Sequence, residues 1–315
     1  MSSRVVGRTA HLRTTGLLEC VVNVSEGRDQ GVLALLAGSC GPCLLDVHSD
    51  VHHNRSVLTL AGPPGEVEPA VRELARVTVC QLDLSRHRGV HPRFGVLDVV
   101  PFVGLEGWPV RDARPGGRAA MAAVAARDSF AAWAARELGL PVFLYGPERS
   151  LPDVRRAAWR HLAPDLGPPA PHPTAGSVAA GWRPLMVAYN LWMAEEVGLK
   201  EAKAIVARLR APEVRALAFQ VGAYFQVSCN LIRPLQVGPA EVWDEVSRWA
   251  RVSRGEVVGL VPRTVLAATA EDRWAELGLS ANLTIEARLS ERSGRRSGTE
   301  AAARLRPPRE PGPPG

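Results

Sequence analysis

The sequence predicts an α/β protein of the α+β kind, built from two consecutive βαββαβ subdomains, each a sheet with its helices on one side. Three observations predict it. The order strand, helix, strand, strand, helix, strand occurs twice along the chain, and the two occurrences meet at Gly181-Trp182-Arg183-Pro184. A length of 315 residues suits two domains of ordinary size, and an apolar share of 46% is ample for their cores.

In the first half, strands are expected over 17–24, 43–48, 54–61 and 94–103, with helices over 28–38 and 65–81. The second helix places Val67, Ala70, Val71, Leu74 and Val77 at helical spacing. An alanine-rich helix follows from Ala119 to Leu138, stopped by Gly139, and a strand runs from Val142 to Tyr145. In the second half, strands are expected over 185–193, 214–221, 224–232 and 256–261, with helices over 198–210 and 239–253. Helix 239–253 would stack Val242, Val246 and Trp249 on one face, and Thr264 to Leu277 would form one more helix. Along 224–232, Gln226, Ser228 and Asn230 alternate with Val227, Cys229 and Leu231, the pattern of a strand with one polar and one apolar face. Such a polar row fits either a sheet face lining a cleft or an ordinary solvated face. Each half is thus a ferredoxin-like unit, and a duplicated pair can leave a groove between its open sheet faces.

Composition excludes several function classes. The net charge of +6 is concentrated at the ends. Residues 1–16 contribute three arginines and no acids, residues 288–315 contribute seven arginines against three glutamates, and 17–287 are left near −1. A near-neutral body lacks the basic footprint of a nucleic-acid domain. The expected organisation is a disordered leader over 1–16, subdomains over 17–184 and 185–287, and a disordered Arg/Pro/Gly tail over 288–315. Residues 1–16 carry Arg4, Arg8 and Arg13 without the apolar stretch expected of a secretory signal, and no apolar run is long enough to suggest a membrane span, so a cytoplasmic protein is expected. Lysine occurs only at Lys200 and Lys203, which disfavours Schiff-base chemistry, and no Gly-Lys-Ser/Thr phosphate loop exists. Cys40-Gly41-Pro42-Cys43 has a redox spacing, but a helix precedes it and a strand follows, the reverse of the thioredoxin order. Five histidines fall between His48 and His91 with Asp46, Asp50 and Asp98 nearby, yet none has the spacing of a known zinc motif, so no metal is expected.

One segment carries chemistry. In Gly89-Val90-His91-Pro92-Arg93-Phe94-Gly95, Pro92 stiffens the backbone after the histidine, and two glycines bracket it with positions open to unusual dihedrals or close approach. The apolar run Val96 to Phe102 would set His91 at the mouth of a sheet. A rigidly held imidazole suits proton transfer. A loop histidine without a role fits these residues as well.

The segment Gly89 to Phe102, with Leu18-Glu19-Cys20-Val21-Val22-Asn23-Val24-Ser25-Glu26-Gly27 and His53-Asn54-Arg55-Ser56-Val57, resembles the formiminotransferase family. Further matches are Pro141 to Gly146, Pro164 to Pro168, Gln226 to Leu231 and Glu256 to Pro262, so the resemblance covers roughly residues 17–287. It implies two ferredoxin-like subdomains lining a cleft, and transfer of a formimino group from N-formimino-L-glutamate to tetrahydrofolate, a co-substrate, without a metal. It also implies small-molecule partners only and a homodimer. His91 matches the family's catalytic histidine, with His87 a weaker candidate. Carboxylates on both substrates call for arginines, and Arg55, Arg93 and Arg183 are candidates beside Asn54. Gly167-Pro168-Pro169-Ala170-Pro171-His172-Pro173-Thr174-Ala175-Gly176 resembles the family's folate-contacting loop, and its prolines suggest an extended path with few internal hydrogen bonds. The same composition would serve an interdomain linker. His48 stands where mammalian members carry an acid, an aromatic they place near Ala175 is missing, and Asp46 or Asp50 could orient His91 instead. The cyclodeaminase domain that follows in mammalian members is expected to be replaced by the arginine-rich tail. A non-catalytic folate-binding protein, or one-carbon transfer from N-formylglutamate or 5-formyltetrahydrofolate, are the competing readings.

Overall fold

A computed structural model describes residues 16–114 and 116–294. The bulk of the expected leader, 1–15, and of the expected tail, 295–315, lies outside the described residues. The chain forms two compact units, one of residues 16–107, 112–184 and 289–294, the other of residues 108–111 and 185–288.

The first unit opens with β1 (Leu17–Val24), α1 (Gln30–Ser39), β2 (Leu44–Asp50), β3 (Arg55–Gly62), α2 (Pro64–Gln81) and β4 (Leu97–Glu106). β1 pairs antiparallel with both β3 and β4, and β2 pairs with β3, so the strands lie in the order β2-β3-β1-β4. The two-residue strand β5 (Arg111–Asp112) adds to β4. Then come α3 (Arg118–Glu137), β6 (Val142–Tyr145), α4 (Leu151–Ala157) and β7 (Val178–Trp182). β7 inserts parallel between β4 and β6. Neither α4 nor β7 is expected from the sequence. Val178-Ala179-Ala180-Gly181 is short, small and almost entirely buried, so it shows none of the polar alternation that marks a half-exposed strand.

Side-chain alternation divides this sheet. Cys20, Val22, Leu58, Leu60, Val100 and Phe102 face Leu36, Leu74 and Phe130 of the helices and form the main core. Burying a side chain such as Phe102 contributes about 1.5–3 kcal/mol. On the other face, Val99, Phe143, Tyr145 and Ala179 form a smaller cluster with Val154 of α4. The rest of that face carries the polar residues described below.

The second unit contains β8 (Val187–Met193), α5 (Leu199–Leu209), β9 (Val214–Val221), β10 (Tyr224–Leu231), α6 (Pro239–Ser247) and β11 (Val252–Val258). Its order β11-β8-β10-β9, antiparallel throughout, repeats that of the first four strands of the other unit. Val227, Cys229 and Leu231 enter the helix-side core, and Gln226, Ser228 and Asn230 take the opposite face, as the alternation requires.

Four elements differ from expectation here. The helix expected over 239–253 ends at Ser247, because Val252 must already pair with Met193 in β11. Trp249 consequently leaves the helical stripe, remains 48% exposed, and lies under the Arg208 guanidinium at 3.8 Å. The strand expected over 256–261 therefore begins earlier. The helix expected over Thr264–Leu277 lasts only through α7 (Arg263–Ala267); beyond it the chain makes only a short 3-10 turn over Glu271–Arg273 and scattered turn bonds, and offers carbonyls to the sheet: Glu276 O accepts from Gly255 N and Leu277 O from the Tyr189 hydroxyl. Finally, α8 (Ile285–Gly294) continues past Arg288, where the tail was expected to start, because Leu289 and Arg292 are buried in the first unit.

Candidate active site

Asp98 is the fixed point of the site. Asn23 of β1 faces Val99 and Val24 faces Leu97, so Asp98 is an extra residue in β4, a β-bulge. The bulge keeps Leu97 and Val100 toward the helices while Asp98 turns to the face that carries Asn23 and Arg55. Asp98 is fully buried, and its Oδ2 accepts from Arg55 Nη1 (2.5 Å) and Arg155 Nη2 (2.8 Å). Oδ1 accepts from the Phe94 amide (2.7 Å), and Arg55 Nη2 donates to Asn23 Oδ1 (2.9 Å). Burial alone would push this carboxyl up, but Arg55 and Arg155 hold it down at about 2. Two guanidinium groups on one carboxylate leave positive charge in excess.

His91 stands beside this cluster, half-buried. Its Nδ1 lies 2.7 Å from the Pro92 carbonyl. A carbonyl can only accept, so Nδ1 carries the proton and the neutral ring has its lone pair on Nε2. The Pro92 carbonyl also accepts from Arg155 Nη1 at 3.3 Å, and the His53 ring meets His91 edge-on at 5.9 Å between centroids. Burial, then the charge of Arg55, lowers the His91 pKa to about 3. At neutral pH the ring is uncharged.

The two glycines bracketing His91 serve close approach. Neither has a positive φ. A Cβ on Gly89 would run into the His53 carbonyl, and one on Gly95 into the carbonyls of Ser177 and Ala175.

Three sequence candidates turn out to be committed to holding the loop. Arg93 donates to the carbonyls of Gly89 and His91 and to His87 Nδ1. His87 donates from Nε2 to the Asn54 carbonyl at 2.7 Å, so both its ring nitrogens are engaged. Burial lowers its pKa as well. Asn54, in the left-handed region at φ 46°, accepts from Gly27 N (2.9 Å) and donates from its amide to Arg88 O (3.1 Å). It joins the turn after β1, the turn before β3 and the His91 loop. Asp50 caps the turn before β3: its Oδ1 accepts from the amides of His52 (2.8 Å) and His53 (2.7 Å).

The stretch Gly167–Gly176 lies within the first unit. Its second half folds back on itself: His172 and Gly176 exchange backbone hydrogen bonds of 2.8 and 2.9 Å, and His172 Nδ1 accepts from the amides of Thr174 and Ala175. The expected extended path is replaced here by a closed turn, because His172 supplies a local acceptor. That turn lies against the His91 segment, with Val96 N donating to Ala175 O (3.0 Å), Ser177 N to Phe94 O (3.2 Å) and Leu84 N to Thr174 O (2.7 Å). Arg183 is not brought to the cluster. It lies five residues beyond Val178 on β7, roughly 16 Å along the sheet, and its Nη1 donates to Pro184 O at 3.0 Å.

Arg155, Asn23 and Phe94 are missed by sequence reasoning, and Asp98 is noticed only as a neighbour of histidines. A lone acid inside Val96-Leu97-Asp98-Val99-Val100 is a signal that could have found Asp98. Arg155 offers none, being one of two adjacent arginines on an unexpected helix. Among the described residues no group of three or more His, Cys, Asp or Glu side chains is arranged to hold a metal. No helix among them is long and apolar enough to cross a membrane. Cys40 and Cys43 are buried, unbridged thiols at a short helical turn between α1 and β2.

Comparison with known proteins matches residues 17–183 to the family model described as formiminotransferase domain, N-terminal subdomain. The chain is 33% identical to the formimidoyltransferase-cyclodeaminase of Sus scrofa, over 79% of this chain and 51% of that protein. It is 31% identical to the glutamate formimidoyltransferase of Streptococcus pyogenes serotype M1, over 81% of this chain and 92% of that protein. The corresponding protein of Thermoplasma acidophilum is 30% identical, over 79% and 89%. The chain thus spans about half the length of its two-function relatives and nine-tenths of the single-function ones.

Proposed function

The chain belongs to the formiminotransferase family, and on that premise we propose that it transfers the formimino group of N-formimino-L-glutamate to tetrahydrofolate, giving 5-formiminotetrahydrofolate and L-glutamate. The observation that carries the chemistry is the His91 imidazole, with its proton on Nδ1 and a lone pair on Nε2.

The formimino carbon is electrophilic because its two nitrogens share positive charge. The secondary amine of tetrahydrofolate attacks it, and a tetrahedral intermediate forms. His91 Nε2 takes the proton from the attacking nitrogen and returns it to the glutamate nitrogen. The carbon–nitrogen bond to glutamate then breaks, leaving the formimino group on the folate. A positioned group of this kind gives about 10²–10⁴-fold. A ring held near a pKa of 3 is a weak base in the free protein. A substrate carboxylate near Arg55 would offset the charge that depresses it and bring the base toward its working range.

The loop Gly167–Gly176 is assigned to folate. Arg55 supplies positive charge at the cluster, Asn54 shapes its floor, and Arg183 would meet a different part of a long substrate. Cytoplasmic location and a homodimer complete the reading, supported by the family resemblance.

The test supplies tetrahydrofolate with N-formimino-L-glutamate, N-formylglutamate or 5-formyltetrahydrofolate and follows the folate spectrum. The reading expects turnover with the first donor. Turnover with only another donor, or tight folate binding with none, would replace it.

A further inference from the structure

We propose that Arg155 is a positioning residue of the His91 site, clamping the Pro92 carbonyl that receives the His91 Nδ1 proton and so holding the ring in the tautomer that offers Nε2. This rests on the reading of His91 as the base.

A catalytic base is normally oriented by a third group on its far nitrogen, most often a carboxylate. Here that place is taken by the carbonyl of the next residue, 2.7 Å away. A backbone carbonyl in a loop is only as fixed as the loop. All three contacts of Arg155 bear on that loop or on the strand that follows. Nη1 donates to the Pro92 carbonyl (3.3 Å), Nη2 to Asp98 (2.8 Å), and the guanidinium lies 4.8 Å above the Phe94 ring. The helix that carries it is anchored: Val154 is fully buried against Phe143 and Tyr145, and the Ser150 side chain caps the first turn. A carbonyl has two lone pairs, so the Pro92 oxygen can serve His91 and Arg155 together.

An ammonium group could supply the same charge but not the fork that reaches Asp98 and Pro92 at once. Among the described residues of the first unit, the charged and titratable groups that face His91 include Arg55 from β3, Asp98 from β4, Arg155 from α4, His53 from the turn before β3, and Arg93, which is bonded to the His91 carbonyl. Arg155 opposes protonation of the ring and Asp98 favours it. Removing Arg155 thus acts in one direction.

The experiment compares the full chain with Arg155→Met and Arg155→Lys, each checked for folding by urea titration, with His91→Ala as control. Steady-state kinetics, pH profiles and the ¹⁵N shifts of the His91 ring are read. In Arg155→Met, kcat should fall about 10–100-fold, the range seen when an outer partner of a ligating histidine is removed, with KM little changed. The acid limb of kcat/KM should move to higher pH, and the ring should show a mixture of tautomers. Arg155→Lys should restore the acid limb but not the rate. A folded Arg155→Met with parental kcat, acid limb and tautomer overturns the proposal, as does a fully active Arg155→Lys if the methionine variant does not fold. Activity in His91→Ala would remove the base reading by itself, leaving the tautomer measurement to judge Arg155 separately.

Discussion

His91 and His87 share one loop, yet their rings have different fates. His87 has both nitrogens bound within the protein, whereas His91 has its Nδ1 proton on a neighbouring carbonyl. His91→Ala should therefore lose most turnover, about 10²–10⁴-fold, with folate binding retained; titration of folate into the variant checks the second half. The pH dependence follows from the lowered pKa. The profile of kcat/KM should carry no His91 ionisation near 6.5, because the free ring titrates at about 3. The profile of kcat should show its acid limb at higher pH than kcat/KM, since bound carboxylates offset the nearby arginines. Coincident limbs in the two profiles would refute that charge argument.

Stability carries the same sign. Between about 3 and 6.5 the unfolded chain binds a proton at residue 91 that the folded chain does not, so stability falls as pH drops through that window. Urea unfolding at pH 7 and pH 5 should show the fall, and His91→Ala should reduce it. Asp98→Asn should cost about 3 kcal/mol, the low end for breaking a buried pair, because Arg55 and Arg155 would face a neutral amide; chemical denaturation measures it.

At the scale of elements, the bulge in β4 and the turn before β3 decide what the site contains. Without the bulge, alternation would send Asp98 into the helix-side core beside Val100 and turn Leu97 out to the opposite face. Asn54 holds three loops from a left-handed conformation. Replacing it with glycine keeps that conformation and loses the side-chain hydrogen bonds, for about 1–3 kcal/mol. Alanine loses both, so Asn54→Ala should be less stable than Asn54→Gly by about 1 kcal/mol more. Equal midpoints in urea would mean that backbone strain at this position is unimportant. The helices and strands with strong period were legible, as β1, β3, α2 and α3 demonstrate. β7 and α4 were not, because a fully buried parallel strand of small residues and a seven-residue helix leave no periodic trace.

At the scale of the whole molecule, two units of the same strand order carry different loads. The chemistry-bearing residues found here all belong to the first, which extends the βαββαβ core by two parallel strands. Its integrity also draws on residues far along the chain. Arg292, buried in α8, donates to the Ala61 carbonyl and pairs with Glu66. Arg292→Met should leave that carbonyl and carboxylate without their partner and cost about 1–3 kcal/mol; thermal unfolding checks it, and an unchanged midpoint would show the contact to be worth nothing.

By itself the sequence determined the element order of both halves and the segment that bears the proposed base, His91, because hydrophobic period, helix stops and a proline-stiffened loop are written within short windows. Only the tertiary structure decided which polar groups are brought together and which are committed to holding the loop. Asp98 meets Arg155 across 57 residues and Arg55 across 43. Partners so distant are chosen by how the sheet and its covering helix assemble, and no local window contains both members of such a pair.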